Sequence, residues 1–270
     1  MAVTNFVQQV WSKKIQDALE IECKLVQNCM TDYEGDAKYA GSVKILGVGE
    51  PTIGNYDGSD ITIEQMTDKG QVLSIDQARY FAFYVDDVNK AQSVPGLAEK
   101  YQAKAVHGLA VERDTYVANL IKACTNVTTA TELTEAGVKA AIDKAIVALR
   151  NRHFAEEGVI ELTPSAYNAF KNCLMTTSTN NPELIRRGVI GKYDTFDVVM
   201  STNMAKDSTH EYCAVRGRKA IAFVGQINEV EALRAQNKFA DIIRGLDAFG
   251  AKTIDEDRIQ AVKVPVAPVA

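Results

Sequence analysis

Apolar residues at helical spacing dominate the stretch from Ser93 to Cys124. Leu97, Tyr101, Ala105, Leu109, Tyr116 and Leu120 fall along one stripe, Pro95 holds a first-turn position, and the next proline is Pro164. The spacing predicts one continuous helix on the order of 45 Å long at a rise of ~1.5 Å per residue, a strut longer than a compact domain is wide. Gly108 is its weak joint, since glycine in a helix interior costs roughly 1 kcal/mol relative to alanine. A more regular stripe of Val138, Ala141, Ile142, Ala145, Ile146 and Leu149 follows Thr134, a good N-cap. Leu133 and Val138 are spaced as a hydrophobic staple, and Arg150 and Arg152 suit the negative end of the helix dipole. Thr163-Pro164 opens a third helix through Tyr167, Phe170 and Leu174. At the N-terminus, Val10, Trp11, Ile15, Leu19, Cys23 and Val26 oppose Lys13, Lys14, Asp17 and Glu20, which predicts an amphipathic helical arm over Met1 to Met30.

Between these segments the period changes from 3.6 to 2. Val43, Ile45, Ile61, Ile63, Val72, Leu73 and Ile75 form short alternating runs broken by Gly47, Gly49, Pro51, Gly54, Asp57-Gly58 and Asp68-Lys69-Gly70. This reads as an extended β-loop with a polar tip, too poor in large apolar residues to form a core alone. Tyr80 to Val85 is apolar at both parities and predicts a strand buried on both faces. Asn126 to Ala130 reads as a Thr-rich linker. Val159–Leu162, Val189-Ile190 and Phe196–Met200 are strand candidates, with a turn at Gly191. Late strands follow at Tyr212–Val215, Ala220–Val224, Ile227–Leu233, Phe239–Phe249 and Ile259–Val264, punctuated by Gly217, Gly225, Gly245 and Gly250. Together these predict an α+β chain in which one subdomain is inserted in another.

Composition narrows the chemistry. With 270 residues, 46% hydrophobic and 24% charged, the chain has enough apolar residues for a large core. A net charge of -5 argues against tight binding to phosphate backbones. The five cysteines, Cys23, Cys29, Cys124, Cys173 and Cys213, include no CxxC pair and read as reduced thiols. No 18-residue apolar run or targeting segment is present, so no membrane association is expected. His107, His153 and His210 stand far apart, without metal-ligand spacing. There is no GxSxG elbow; Gly188 to Lys192 lacks Walker spacing, and Gly47, Gly49 and Gly54 run into Pro51 and a strand rather than a helix. No cofactor is expected. Cys173 with His153 would be the nucleophile and base of a cysteine hydrolase, a remote alternative, because Cys173 shares its helix with Phe170 and Leu174 and reads as a small core residue. The carboxylates Asp86-Asp87 and Asp255-Glu256-Asp257 read as solvated strand ends and turns.

Several motifs in order carry a resemblance. Asp32-Tyr33-Glu34-Gly35-Asp36 ends the arm, Val43-Lys44-Ile45 leads to Gly49-Glu50-Pro51-Thr52, and Leu73-Ser74-Ile75-Asp76 enters Tyr80-Phe81-Ala82-Phe83. Gly188 to Val198 (GVIGKYDTFDV) and the tail from Phe239-Ala240-Asp241-Ile242 to Phe249-Gly250-Ala251 complete the set. Over nearly its whole length the chain resembles the major capsid proteins of tailed bacteriophages, with the Hong Kong 97-type coat fold.

The resemblance implies an N-terminal arm over 1–40 and an extended loop over 41–76. It implies a peripheral domain with a spine helix over 77–130 and 225–270, and an axial domain over 131–224. It further implies a non-enzymatic protein that assembles with itself into hexamers and pentamers of an icosahedral shell enclosing phage DNA, in the virion capsid, put together in the host cytoplasm. The expected partners are other copies, a separate scaffolding protein, a portal, and packaged DNA by weak contact only. Expected subunit contacts are Lys44, Glu50, Tyr56, Asp57, Asp60, Asp68 and Lys69 in the loop, and Lys192, Tyr193 and Asp194 in the axial domain. Relatives that crosslink a loop lysine to a neighbour's asparagine direct attention to Lys44 and Lys69, but no local motif here identifies such a bond. An encapsulin-type compartment shell is the alternative within the same fold.

Overall fold

The structure, a computed structural model, describes residues 23–33, 41–48, 53, 55, 68–86, 97–176, 190–235 and 240–266. In chain order the elements are β1 (Ser42–Val48), β2 (Asp68–Ser74), β3 (Gln77–Asp86), α1 (Leu97–Lys122), β4 (Val127–Thr129), α2 (Glu135–Asn151) and β5 (Gly158–Leu162). They continue with α3 (Pro164–Thr176), β6 (Lys192–Tyr193), β7 (Phe196–Met200), β8 (His210–Gly217), β9 (Ile221–Arg234), β10 (Ala240–Thr253) and β11 (Ile259–Pro265). The described strands form a hairpin β1-β2, an antiparallel sheet β3-β10-β9 and a mixed sheet β4-β11-β8-β5-β7-β6.

The six-stranded sheet lies between two apolar layers, and strand alternation assigns its residues to them. Ile160, Leu162, Cys213, Val215, Val262 and Val264 belong to one core with α2 and α3. Tyr212, Ala214, Ile259 and Ala261 belong to the other, with α1 and the chain around Cys23 to Cys29. A strand covered on both faces is buried at both parities, as β5 and β8 are, and the charges they carry at Glu161, Glu211 and Arg216 are buried with the apolar residues. The expected helix at Thr134 is present as α2: Thr134 Oγ1 accepts from Gly137 N–H at 3.1 Å, and all six residues of the predicted stripe are buried. Thr163-Pro164 opens α3 as expected.

α1 is the element shared by both sheets. Its buried positions are Val106, Leu109, Ala110, Arg113, Asp114, Val117, Ala118 and Ile121, the 3-and-1 spacing of one helical face. That face packs on Phe223, Ile243 and Phe249 of the three-stranded sheet as well as on β8 and β11. The stripe read from the sequence is rotated by about one position, because two charged residues, Arg113 and Asp114, occupy core sites; Tyr101 is exposed instead. The hairpin base forms a third, smaller core, in which Val43, Ile45 and Leu73 pack on Ala222 and Val224 of β9.

Other expectations need correcting. β3 is covered on one side only: Phe81 and Phe83 pack toward α1, whereas Tyr80 and Tyr84 are 80% and 62% exposed. Residues 221–234 make one continuous strand through Gly225, not two. The supposed linker contains β4, which pairs in parallel with β11 inside the six-stranded sheet. β11 itself pairs with β8, so two strands that the sequence assigned to the peripheral part sit in the sheet of the other part. Around Val26–Asn28 the backbone makes a single 3-10 turn rather than the end of an α-helix, and Met30 bridges to Ala222. Residues 1–22 of the expected arm lie outside the described residues.

Candidate assembly surfaces

The residues singled out in the loop fall into two groups. Lys44, Asp68 and Lys69 belong to the β1-β2 ladder, where Lys44 faces Val72, Lys69 faces Gly47 and Asp68 faces Val48. Lys44 is exposed and its stem lies across β2 at Gly70, where a Cβ would come within 2.8 Å of Lys44 Cε and push the flexible lysine stem aside. Glu50, Tyr56, Asp57 and Asp60 lie outside the described residues.

Lys192, Tyr193 and Asp194 sit on a different sheet, at the β6-β7 turn. Asp194 has φ 55°, the left-handed region that Asp tolerates in tight turns. Its carboxylate accepts from Arg150 Nη2 at 2.8 Å, and the same nitrogen donates to Thr195 Oγ1 at 2.9 Å. The Tyr193 ring meets Phe170 edge-on with centroids 5.0 Å apart, and its hydroxyl donates to Asp143 Oδ1 at 2.7 Å. Burial, followed by the Asp143 contact, raises the Tyr193 pKa. Lys192 is looser, 3.6 Å from Asp197 and 3.9 Å from Glu157 across exposed surface, a kind of pair worth about 1 kcal/mol or less. The turn is therefore held firmly against α2 and α3, with Lys192 at its exposed margin.

Sequence reasoning missed a set of buried charges that fixes the root of the arm. Asp114 of α1, fully buried, accepts from the backbone N–H groups of Lys24 and Leu25 at 3.0 Å and Val26 at 3.3 Å, and from Asn203 Nδ2 at 3.2 Å. Arg216 of β8, also fully buried, pairs bidentately with Glu161 of β5 at 2.9 and 2.7 Å. Its remaining N–H groups reach the carbonyls of Asn28 at 2.8 Å and Leu25 at 3.1 Å, while Asn28 Nδ2 donates to Glu161 at 3.2 Å. Asp114 of α1 thus holds donors and Arg216 of β8 acceptors of the 24–28 backbone, while Glu161 of β5 holds the Asn28 side chain. A second buried pair joins α1 to β10: Arg113 donates to both oxygens of Asp247, at 2.8 and 2.5 Å, and its guanidinium lies 5.6 Å from the Phe223 ring centroid. Charge at positions where the period demands an apolar residue, as at Glu161 within Val-Ile-Glu-Leu, was the available signal.

The nucleophile and base of the remote hydrolase alternative lie on different elements. Cys173 lies half-buried on α3 and His153 is exposed at the end of α2, with φ 62°. Burial pushes the Cys29 and Cys213 thiols up to about 11, away from thiolate chemistry. Among the described residues no His, Cys, Asp and Glu cluster is spaced to hold a metal ion, and no helix is long and apolar enough to cross a membrane.

No protein-family model and no curated protein matches the chain. Solved structures do. A structure from Mycobacterium phage Che8 is similar with a TM-score of 0.77 at 24% identity, covering 89% of this chain and 90% of that one. The capsid of the cyanophage P-SCSP1u gives 0.66 at 14% identity over 84% of both chains. A virus-like particle from Pyrococcus furiosus gives 0.61 at 12% identity over 95% of this chain and 99% of that one. These matches establish the fold: a mixed α and β architecture, shared along almost the full length with these chains. The chain has the Hong Kong 97-type coat fold expected from its motifs.

Proposed function

We propose that the chain is the major capsid protein of a tailed bacteriophage, assembling as hexamers and pentamers into an icosahedral shell around DNA. The observation that carries this reading is the agreement in fold with capsid chains over nearly the whole of both partners. The described surfaces support it: the hairpin rooted at Ser42 and Ser74 carries a ladder outward beyond the small core at its base, and the arm root is clamped so that residues before Cys23 leave from a fixed point. Lys44, Asp68 and Lys69, with the loop residues Glu50, Tyr56, Asp57 and Asp60, then serve contacts between copies, as do Lys192, Tyr193 and Asp194 on the other sheet. In this reading residues 1–40, 41–76, 77–130 with 225–270, and 131–224 act as arm, loop, peripheral and axial parts. The strands β4 and β11 tie the last two together. A separate scaffolding protein, a portal and weakly held DNA are its partners, and the host cytoplasm is the site of assembly. The role is mechanical rather than enzymatic.

The likeness to the Pyrococcus furiosus particle favours one second reading, an encapsulin-type compartment enclosing protein cargo. Particles purified from cells expressing the chain with its neighbouring genes separate the two. DNA protected from nuclease inside the shell is the expected result. Protected protein cargo without DNA selects the compartment, and a monomer at every concentration, with or without a scaffolding protein, overturns both.

A further inference from the structure

Tyr212 of β8 is buried under two lysine side chains. Lys122, in the last turn of α1, places its ammonium 5.2 Å from the ring centroid, and Lys263 of β11 places its own at 5.5 Å. The second contact follows from register: Lys263 stands directly opposite Tyr212 in the β11-β8 ladder, on the sheet face that packs toward α1. Two like charges thus converge on one ring at the margin of a core.

No anion balances them. The acid that reaches the same ring, Asp207, is occupied in its own turn: Oδ2 accepts from the Tyr212 hydroxyl at 2.8 Å, and Oδ1 from the N–H groups of Thr209 at 2.8 Å and His210 at 2.6 Å. Glu211, the residue before Tyr212, is taken by Lys206 at 2.8 Å and by the hydroxyls of Thr163 and Ser165. Among the described residues no carboxylate lies within ion-pair distance of Lys122 or Lys263. In a chain of net charge -5, a place where two cations converge without an anion is a local reversal of sign.

The exposed side of α1 extends this positive ground. Lys104 and Lys122 are both exposed and stand 18 residues apart, five turns of ~3.6 residues, so they leave the helix in the same direction, about 27 Å from one another along its axis. Glu112, the exposed acid between them, is held by Arg79 at 3.0 Å. The remaining exposed positions between them are His107, Gly108, Thr115 and Asn119, none with a large apolar side chain. An apolar partner has little to bury there, whereas an extended polyanion lying along the helix meets a cation at either end.

We propose that Lys122 and Lys263, seated on Tyr212, bind the phosphate backbone of duplex DNA; this rests on the reading of a shell around DNA and names the residues of the subunit that touch it. The buried ring supports both lysine stems, so less side-chain freedom is lost when a phosphate arrives. The contact is made by charge, without base edges, so it is indifferent to sequence and weakens with salt.

The test titrates a short fluorescent duplex with the full chain over a range of potassium chloride concentrations and reads the slope of log K against log salt, with electron microscopy on the same protein. Each phosphate contact contributes ~0.9 to that slope. Lys122→Gln combined with Lys263→Gln should lower it by about 2, while Lys144→Gln combined with Lys171→Gln, on α2 and α3 across the six-stranded sheet, should leave it unchanged. Thr129→Glu keeps both lysines and sets a carboxylate beside Lys263, its partner in the β4-β11 register, and should lower the slope by about 1. Lys122→Arg with Lys263→Arg keeps both charges and should retain the parent slope. An unchanged slope in the glutamine and glutamate variants, an equal fall in the control pair, or a parent that binds no duplex at about 50 mM salt overturns the proposal. Particles that form without binding DNA overturn this site alone; duplex bound through these lysines by a chain that forms no particles sustains the site and removes the shell.

Discussion

At the scale of single residues, stability is concentrated in buried charges that have all their partners. Arg216 and Glu161 are completely removed from water and satisfy each other as well as Asn28 and two backbone carbonyls. Removing one member of such a pair leaves an uncompensated buried charge, so Glu161→Leu should destabilise the protein by about 3–5 kcal/mol in urea unfolding. A loss below ~1 kcal/mol would mean that water reaches Arg216. Acid sensitivity has a local origin too. Glu211 is desolvated, which by itself raises its pKa, but Lys206 Nζ at 2.8 Å, the Ser165 hydroxyl and Thr163 Oγ1 at 2.5 Å outweigh this and hold it below the usual value. Asp207 is held low in the same direction by the N–H groups of Thr209 and His210 and the Tyr212 hydroxyl. A carboxylate lowered in the folded state stabilises above its unfolded pKa, about 4.3 for Glu, and that contribution fades as pH falls toward the folded value. Melting curves should therefore show a drop in Tm below about pH 4.3 that is shallower in Glu211→Gln. An identical acid limb in the variant would contradict the assignment.

At the scale of elements, α1 matters most, running 26 residues, or about 39 Å, between two sheets. Gly108 is exposed in its interior, and nothing stands within 4 Å of the Cβ an alanine would add. Gly108→Ala should raise stability by about 0.5–1 kcal/mol, read as a higher urea midpoint at unchanged slope. Leu109→Pro, one residue on and buried, should cost about 3 kcal/mol or more and yield little soluble protein. How legible these elements were depended on whether apolar period and burial coincide. In α2 they do, from the Thr134 cap to Leu149, and the whole helix could be read off the sequence. In α1 the period is broken at Arg113 and Asp114, whose burial follows from partners 134 positions away in Asp247 and about 90 positions away in the arm root, which no local pattern contains. β3 is apolar at both parities, but sequence could not reveal that one of its faces is left uncovered within the chain. Gly225 reads as a strand break, whereas β9 runs through it, close to Arg113 and Phe223.

At the scale of the molecule, the base of the hairpin belongs to its own subunit, and the proposed function assigns what lies beyond the ladder to contacts between copies. Leu73, Val43 and Ile45 are buried in the chain's own third core, so the base is intramolecular. A truncation that respects this joins Val48 directly to Asp68 through Asn-Gly, keeping the ladder pairs and removing what lies beyond them. The shortened protein should melt within ~2 °C of the parent yet close no shells. An early melt would place 49–67 in the subunit's own core. The candidate contact residues were legible as a loop and a turn because glycines and acidic residues cluster there; the exposed face of the three-stranded sheet was not, since it forms only when β3, β9 and β10, distant in the chain, align in register. The most direct measurement is cryo-electron microscopy of the full chain, expressed alone and with a scaffolding protein. Closed particles whose five-fold and six-fold clusters each fit this subunit, α1 included, are predicted; a monodisperse 29.5 kDa monomer under every condition would contradict assembly as the function of this fold.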